Sequence, residues 1–228
     1  MKTTFTKVAV ATVIAGTTLF GGAASAATKD ETKVTDRYTA LKAGMTIEQA
    51  AKVIYGKEYK KQLTKKSGST VLKKKAEFTT VSQGQKTTTY AFSDEKNFTN
   101  VSVFQFMTKK NSSVYRLTGK SLDLYRADSY SGARESKMKL LKGKKIKTGM
   151  TEKQLDAVLS GTGLGEWTGV DSIDWTSIQT KQELEYGLGI KALSKTYVFP
   201  TSTTQRKLVI MNYDYEKKTY TVGSQTSL

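Results

Sequence analysis

The chain of 228 residues contains no cysteine and no histidine, and those two absences exclude more function than any residue present. Without cysteine there is no disulfide, so each folding unit must hold itself with an apolar core or lean on a neighbour. Without either residue, Ser-His-Asp and Cys-His nucleophiles are impossible and zinc loses its usual ligands. Long apolar runs are equally scarce. The longest, Val8–Phe20, spans thirteen residues interrupted only by Thr and Gly. A membrane-crossing helix needs about 20. Preceded by Lys2 and Lys7 and followed by Ala24-Ser25-Ala26, this run reads as a secretory signal peptide, residues 1–26, cut after Ala26. No cysteine stands at that site to take a lipid. The expected product is a secreted, extracellular chain of 228 − 26 = 202 residues with no transmembrane segment.

Acidic residues are also few: 20 against 37 Lys and Arg, a formal charge of +17 that falls to +15 once Lys2 and Lys7 are removed. Such an excess suits anionic surroundings, with wall polymers foremost, or serves only to keep an exported protein in solution. No nucleic-acid recognition motif occurs, and no nucleic-acid partner is expected. The exposed candidates for polyanion binding are Lys73, Lys74 and Lys75 in one cluster and Lys142, Lys144 and Lys145 in another.

What the chain does contain is one phrase written twice. Residues 44–56 read GMTIEQAAKVIYG and residues 149–161 read GMTEKQLDAVLSG, an offset of 149 − 44 = 105. Thr46 with Gln49, and Thr151 with Gln154, are capping boxes, in which Thr and Gln side chains each satisfy the other's backbone amide. Met45 and Met150 stand at the staple position ahead of the cap. Ala50, Val53 and Ile54 match Leu155, Val158 and Leu159 as an apolar stripe. Gly56 and Gly161 supply the stop. Each copy therefore predicts a helix of about ten residues with one buried face, too short to persist unless docked.

Runs rich in Thr, Val, Tyr and Phe follow each helix. Ala76–Val81, Thr87–Phe92, Phe98–Met107 and Ser113–Leu117 read as strands after the first; Lys195–Phe199, Lys207–Tyr215 and Thr219–Val222 after the second. Gly161–Gly189, with Trp167 and Trp175, contains a short helix near Lys181–Tyr186 and is otherwise undecided, as is the lysine-rich Lys57–Lys75. The expected fold class is α+β, with two tandem repeats, each a short helical segment packed on an antiparallel sheet of three to four strands. The modules span 34–122 and 141–228, joined by a linker at 123–140. Modules this small are expected to abut and share burial.

Apparent catalytic motifs dissolve on inspection. Ser93-Asp94-Glu95-Lys96 and Ser136-Lys137-Met138-Lys139 fit S-x-x-K and Lys147-Thr148-Gly149 spells KTG, yet Ser and Lys are abundant enough to produce these hits by chance and Ser-Asp-Asn is missing. Asp171 with Asp174, or Glu183 with Glu185, are the acid pairs a glycosidase would need, with nothing else to support one. Gly161–Gly165 follows a helix rather than a strand and reads as a turn. No catalytic residue, metal ligand or cofactor is expected.

The pattern aromatic-x-x-apolar-x-x-Gly-Met-Thr-x-x-Gln, seen at Tyr38, Leu41, Gly44-Met45-Thr46 and Gln49, resembles the β-lactamase inhibitory protein family of tandem helix-plus-sheet modules. The second copy keeps Ile146 and Gly149-Met150-Thr151…Gln154, with Gly143 in the aromatic's place. Small outer-membrane assembly lipoproteins share a similar helical start. The resemblance implies a protein partner held on the sheet face and its loops. It departs from that family in lacking cysteine and in its basicity. The function expected is a non-catalytic protein-binding module, with inhibition of an extracellular hydrolase or penicillin-interacting enzyme as one form of it. The alternative is a basic cell-envelope protein on anionic wall polymer. Large side chains with hydrogen-bonding tips suit a binding surface, so the partner-binding candidates are Tyr90, Phe92, Tyr115, Tyr213 and Tyr215, with Gln83 and Gln85 at a hairpin.

Overall fold

The structure, a computed structural model, describes residues 28–94 and 98–228. The expected signal peptide, residues 1–26, lies outside these, as do Glu95 and Lys96 of the first S-x-x-K. In chain order the elements are helix α1 (Lys29–Ala40), helix α2 (Ile47–Tyr55), a 3₁₀ segment Gly56–Gln62, strands β1 (Leu63–Lys66), β2 (Ser69–Leu72), β3 (Phe78–Ser82), β4 (Gln85–Ser93), β5 (Asn100–Thr108) and β6 (Tyr115–Leu124), helix α3 (Glu152–Asp156), strand β7 (Gly169–Asp174), helix α4 (Lys181–Glu185), and strands β8 (Lys191–Pro200), β9 (Arg206–Asp214) and β10 (Thr219–Ser227). The class is α+β. Strands β3 to β10 lie side by side in sequence order as one antiparallel meander of eight strands, while β1 and β2 form a separate hairpin.

The two groups of strands do more than abut. β6 pairs directly with β7, Ser121 opposite Asp171 and Leu122 opposite Val170, so hydrogen bonding is unbroken across the middle. Strand alternation then sends Tyr90, Phe104, Phe106, Leu117, Leu122, Val170, Tyr197, Phe199, Val209, Met211, Tyr220 and Val222 to one face, where all are buried. Two core clusters occupy that face. One gathers α2 (Ile47, Ala50, Ala51, Ile54) over β4–β6. The other gathers Leu155 of α3 over β7–β10 and also takes Val34 and Tyr38 from α1. The first helix of the chain lies against β5 and β6, and its Val34 and Tyr38 join the cluster that Leu122 and Leu124 of β6 share with the last strands.

Both Thr-x-x-Gln boxes close as reciprocal caps, Thr46 with Gln49 and Thr151 with Gln154. Both dock in the same way on a strand. The Gly44 amide donates to the Leu117 carbonyl (2.8 Å) and Leu117 donates back to Met45 (2.7 Å). Gly149 donates to Val222 (2.7 Å) and Val222 to Met150 (2.8 Å). The glycines turn with φ of +81° and +84°, left-handed values that a side chain would strain. Leu117 and Val222 are themselves 105 apart, and next to each a one-residue bulge shifts the register, at Thr118 in β6 and Gly223 in β10.

The helices themselves differ from expectation. α2 has nine residues, close to the predicted ten, but α3 stops after five. The chain beyond α3 is drawn into pairing: Leu141 donates to Val158 (3.0 Å), Ser160 donates to Lys139 (2.8 Å), and Leu140 bridges Leu159. Residues 105 positions before 139–141 lie in α1, whose amides are already spent, so nothing competes with α2. α1 itself was not foreseen, nor were β1, β2 and β7. Thr28-x-x-Glu31 is a capping box ahead of Val34, Tyr38 and Leu41, a signal present in the sequence.

Candidate functional site

The roofed face of the sheet is closed by helices α1 to α3; the opposite face is not roofed by them. Its residues alternate with the core positions: Thr89 and Ala91 on β4, Val101, Val103 and Gln105 on β5, Gly119, Ser121 and Asp123 on β6, Asp171 and Ile173 on β7, Ser194 and Thr196 on β8, Ile210 and Asn212 on β9, Thr221 on β10. None of these fifteen is buried, while Thr87, Met107, Gly169 and Val198, on the same face by alternation, are. Short side chains predominate, and the two glycines are needed by their neighbours. A Cβ at Gly169 would stand 2.8 Å from the Asp123 carboxylate, and one at Gly119 would stand 3.3 Å from Gln105 Cβ. The floor is therefore low, and Asp123 leans across the β6–β7 junction rather than standing off it.

Asp123 and Asp171 put acid in the middle of this face of a strongly basic chain. They occupy neighbouring pairs of the junction, Asp123 opposite Gly169 and Asp171 opposite Ser121. Burial against the sheet raises both carboxyls above their ordinary range, and the charge of Asp171 raises Asp123 further. A cation or a hydrogen-bond donor from a partner would relieve both. A polyanion would not.

The sequence candidates scatter. Tyr90 and Tyr115 are 2 % and 6 % exposed in the core beneath α2, and the Tyr90 hydroxyl accepts from the Leu72 amide (3.3 Å), which leaves neither ring a surface for a partner. Phe92 packs on the same core edge-on to Tyr55, with Lys74 Nζ 5.3 Å above its ring. Tyr213 is half-buried against the other core and meets Tyr215 edge-on at 5.0 Å; Tyr215 is exposed and lies under Lys191. Gln83 tips the β3–β4 hairpin with φ of +49°, exposed, whereas the Gln85 amide donates to the Thr108 carbonyl (3.0 Å). Period-2 alternation places strand aromatics on one face or the other without saying which face carries the helices. The open-face residues, many of them Thr, Ser, Gly and Asp, carry no sequence signal of their own, because small polar residues on strands are common to solvated faces.

All six candidate lysines, Lys73, Lys74, Lys75, Lys142, Lys144 and Lys145, are exposed, and among the described residues none makes an ion pair. They sit in loops beside β2 and ahead of α3, away from the centre of the open face.

No arrangement for catalysis assembles from the acid pairs. Asp171 and Asp174 project from opposite faces of β7, and Asp174 faces Lys191 at 3.8 Å. Glu183 caps α4 through Thr180, and Glu185 pairs with Lys181. Ser136, 2 % exposed, is held between the Leu164 carbonyl and the Met138 amide. A cleft of about 170 Å³ is lined by Arg126, Asp128, Ser129, Arg134, Glu135, Lys137 and Glu166. Much of its charge is already paired: Arg126 and Arg134 with Glu31, and Glu135 with Arg206 at 2.6 Å. That network fastens α1 and β9 to the 125–140 segment.

No family model matches the chain, and neither a curated protein nor a solved structure matches it. The class on the page is an α+β protein in which helices roof one face of an eight-stranded antiparallel meander.

Proposed function

We propose that the chain is a secreted, non-catalytic protein-recognition module, built as two tandem helix-roofed repeats and binding its partner on the uncovered face of their joint sheet. The observation that carries this reading is that face: fifteen alternating positions, low, unburied, and centred on two carboxylates held above their usual range. The repeat is supported by bonds that recur at one offset. Gly44–Leu117 becomes Gly149–Val222, and the side chain of Lys120 on the Leu41 carbonyl (2.7 Å) becomes that of Gln225 on the Ile146 carbonyl (2.7 Å), every member 105 positions on. An extracellular hydrolase or penicillin-interacting enzyme is the target class, taken from the resemblance of Gly-Met-Thr-x-x-Gln to the β-lactamase inhibitory proteins. Titration against a panel of β-lactamases and cell-wall hydrolases tests it. Micromolar or tighter binding, abolished by Ser121→Arg on the open face, is expected; silence across the panel would remove this target class.

A second reading has its own observation, the six unpaired lysines. In it they hold the protein on anionic wall polymer, and retention on cell walls collapses at 1 M salt, where the screening length is about 3 Å. Retention that ignores salt would remove this reading.

A further inference from the structure

The meander is open, so it ends in two edges, β3 and the outer side of β10. Among the described residues neither β3 nor Ser224–Ser227 of β10 has a backbone hydrogen bond on its outer side. Exposed edges of natural sheets are ordinarily blunted by charge or proline. Here Phe78–Ser82 reads FTTVS and Ser224–Leu228 reads SQTSL, with no charged side chain in either, in a chain that has 57 of them. Phe78, Val81 and Leu228 are 55 %, 66 % and 49 % exposed.

The molecule already contains a junction between two such edges. In β6, the residues just past the Thr118 bulge pair with β7 from Gly119–Ile173 to Asp123–Gly169. β10 repeats β6: the same docking of Gly-Met ahead of the bulge, the same bulge, and then, among the described residues, five residues with no strand on their outer side. β3 stands to β4 as β7 stands to β8, the first strand of its group of four. Carrying the β6–β7 register onto the free edges sets Thr226 opposite Thr80, Gln225 opposite Val81 and Leu228 opposite Phe78. The bulge does not protect β10, since β6 carries the same one and is paired beyond it.

We propose that β10 of one copy adds to β3 of the next, repeating the β6–β7 junction between molecules in a head-to-tail contact. The contact uses unlike surfaces, so it leaves a free β3 at one end and a free β10 at the other and can extend. Like charge on the rest of the surface opposes it. Salt therefore strengthens the assembly, by screening repulsion that the neutral edges do not feel. The proposal needs the backbone correspondence of the two strand groups but not the recognition function.

The absence of cysteine makes the test direct. Thr80→Cys and Thr226→Cys are prepared in the chain from Ala27 on, which keeps every described element, and are mixed under mild oxidant. Directly opposed strand residues bring their Cβ atoms to about 4.5–5.5 Å, near bridging range. Cross-linked dimer in the mixture and only background in each variant alone is expected, together with loss of the cross-link in a Val81→Lys background and a sedimentation mass that rises with protein and salt concentration. Unchanged circular dichroism of Val81→Lys separates lost contact from lost fold. Self-cross-linking of either variant alone, equal to that of the mixture, would overturn the head-to-tail register. A one-chain mass at all concentrations and at both low and high salt would overturn the assembly, as would capture of unrelated extended peptides on β3 in preference to a second copy.

Discussion

The two capping-box helices begin alike and end differently. α2 runs nine residues with Ala50 and Ala51 fully buried, bringing its backbone close to the sheet; α3 runs five and fills the same space with Leu155. The cap sets where a helix starts, and what waits downstream sets where it stops. In the first case the neighbouring segment is α1, already hydrogen-bonded within itself. In the second it is the extended 139–141 stretch, which takes the backbone of Val158–Ser160 for itself. Identical local instructions give unequal helices because the competing partner differs. The halves also lean on each other unequally, since α1 lies against β5 and β6 of its own half while its Val34 and Tyr38 join the cluster that β6 shares with β7–β10.

That asymmetry can be broken most severely at Glu31. Its carboxylate, 3 % exposed, accepts from Arg126 (2.9 Å) and faces Arg134 while also capping α1. Glu31→Gln removes the buried charge that two partly buried guanidinium groups face, and a loss of about 3 kcal/mol is expected. Hydrogen exchange should show β5 and β6, against which α1 lies, losing more protection than β9 and β10. Equal loss in both groups would mean α1 serves them alike.

Next in size is a core swap. Leu155→Ala empties a fully buried site and should cost about 3 kcal/mol. Ala50→Leu overfills its counterpart and should cost about 2 kcal/mol. Urea denaturation of each reads both, and a neutral Ala50→Leu would show that α2 is not held close.

The corresponding side chains beneath the caps differ in chemistry. Lys120 donates to the Tyr38 and Leu41 carbonyls at 2.6 and 2.7 Å and lies 4.0 Å from the Tyr38 ring, while burial and Lys42 push its ammonium down to about 7. Lys120→Met should cost about 2 kcal/mol by orphaning two carbonyls, and Gln225→Leu about 1 kcal/mol by orphaning one. Because the folded pKa of Lys120 lies below its unfolded value, the unfolded chain binds the extra proton above pH 7. Native stability therefore gains from this group between pH 7 and 10, a gain the Met variant should lack.

The smallest effect belongs to the open face. The folded pKa values of Asp123 and Asp171 are raised, so their favourable contribution exists below the unfolded carboxylate pKa and is lost as pH rises through the folded one. Asp123→Asn should therefore raise the urea midpoint at neutral pH and change nothing near pH 3. If the carboxylates exist for a partner, the same variant weakens binding while it stabilises the fold.

Much of this architecture was legible in the residues. The Thr-x-x-Gln caps, the strand order and seven strands were readable because each rests on local spacing. α1 is legible as well, through Thr28, Glu31 and the Val34–Tyr38–Leu41 spacing, a signal weaker than the duplicated phrase because it occurs once. β7 was not, since Gly-Val-Asp-Ser-Ile-Asp has too little apolar content to announce a strand that exists only because β6 and β8 flank it. The face of Tyr90 and Tyr115 could not be read either: alternation assigns a face, and only the docking of α2 through Gly44 and Leu117 says which one is roofed.

The central claim is that recognition occurs on the open sheet face across β5 to β9. Hydrogen exchange of the chain with the tightest binder from the hydrolase and β-lactamase panel measures it most directly. Slowed exchange centred on the Ser121–Asp171 junction is the predicted result. Slowing confined to the lysine loops at 73–75 and 142–145, with the junction unchanged, would contradict it.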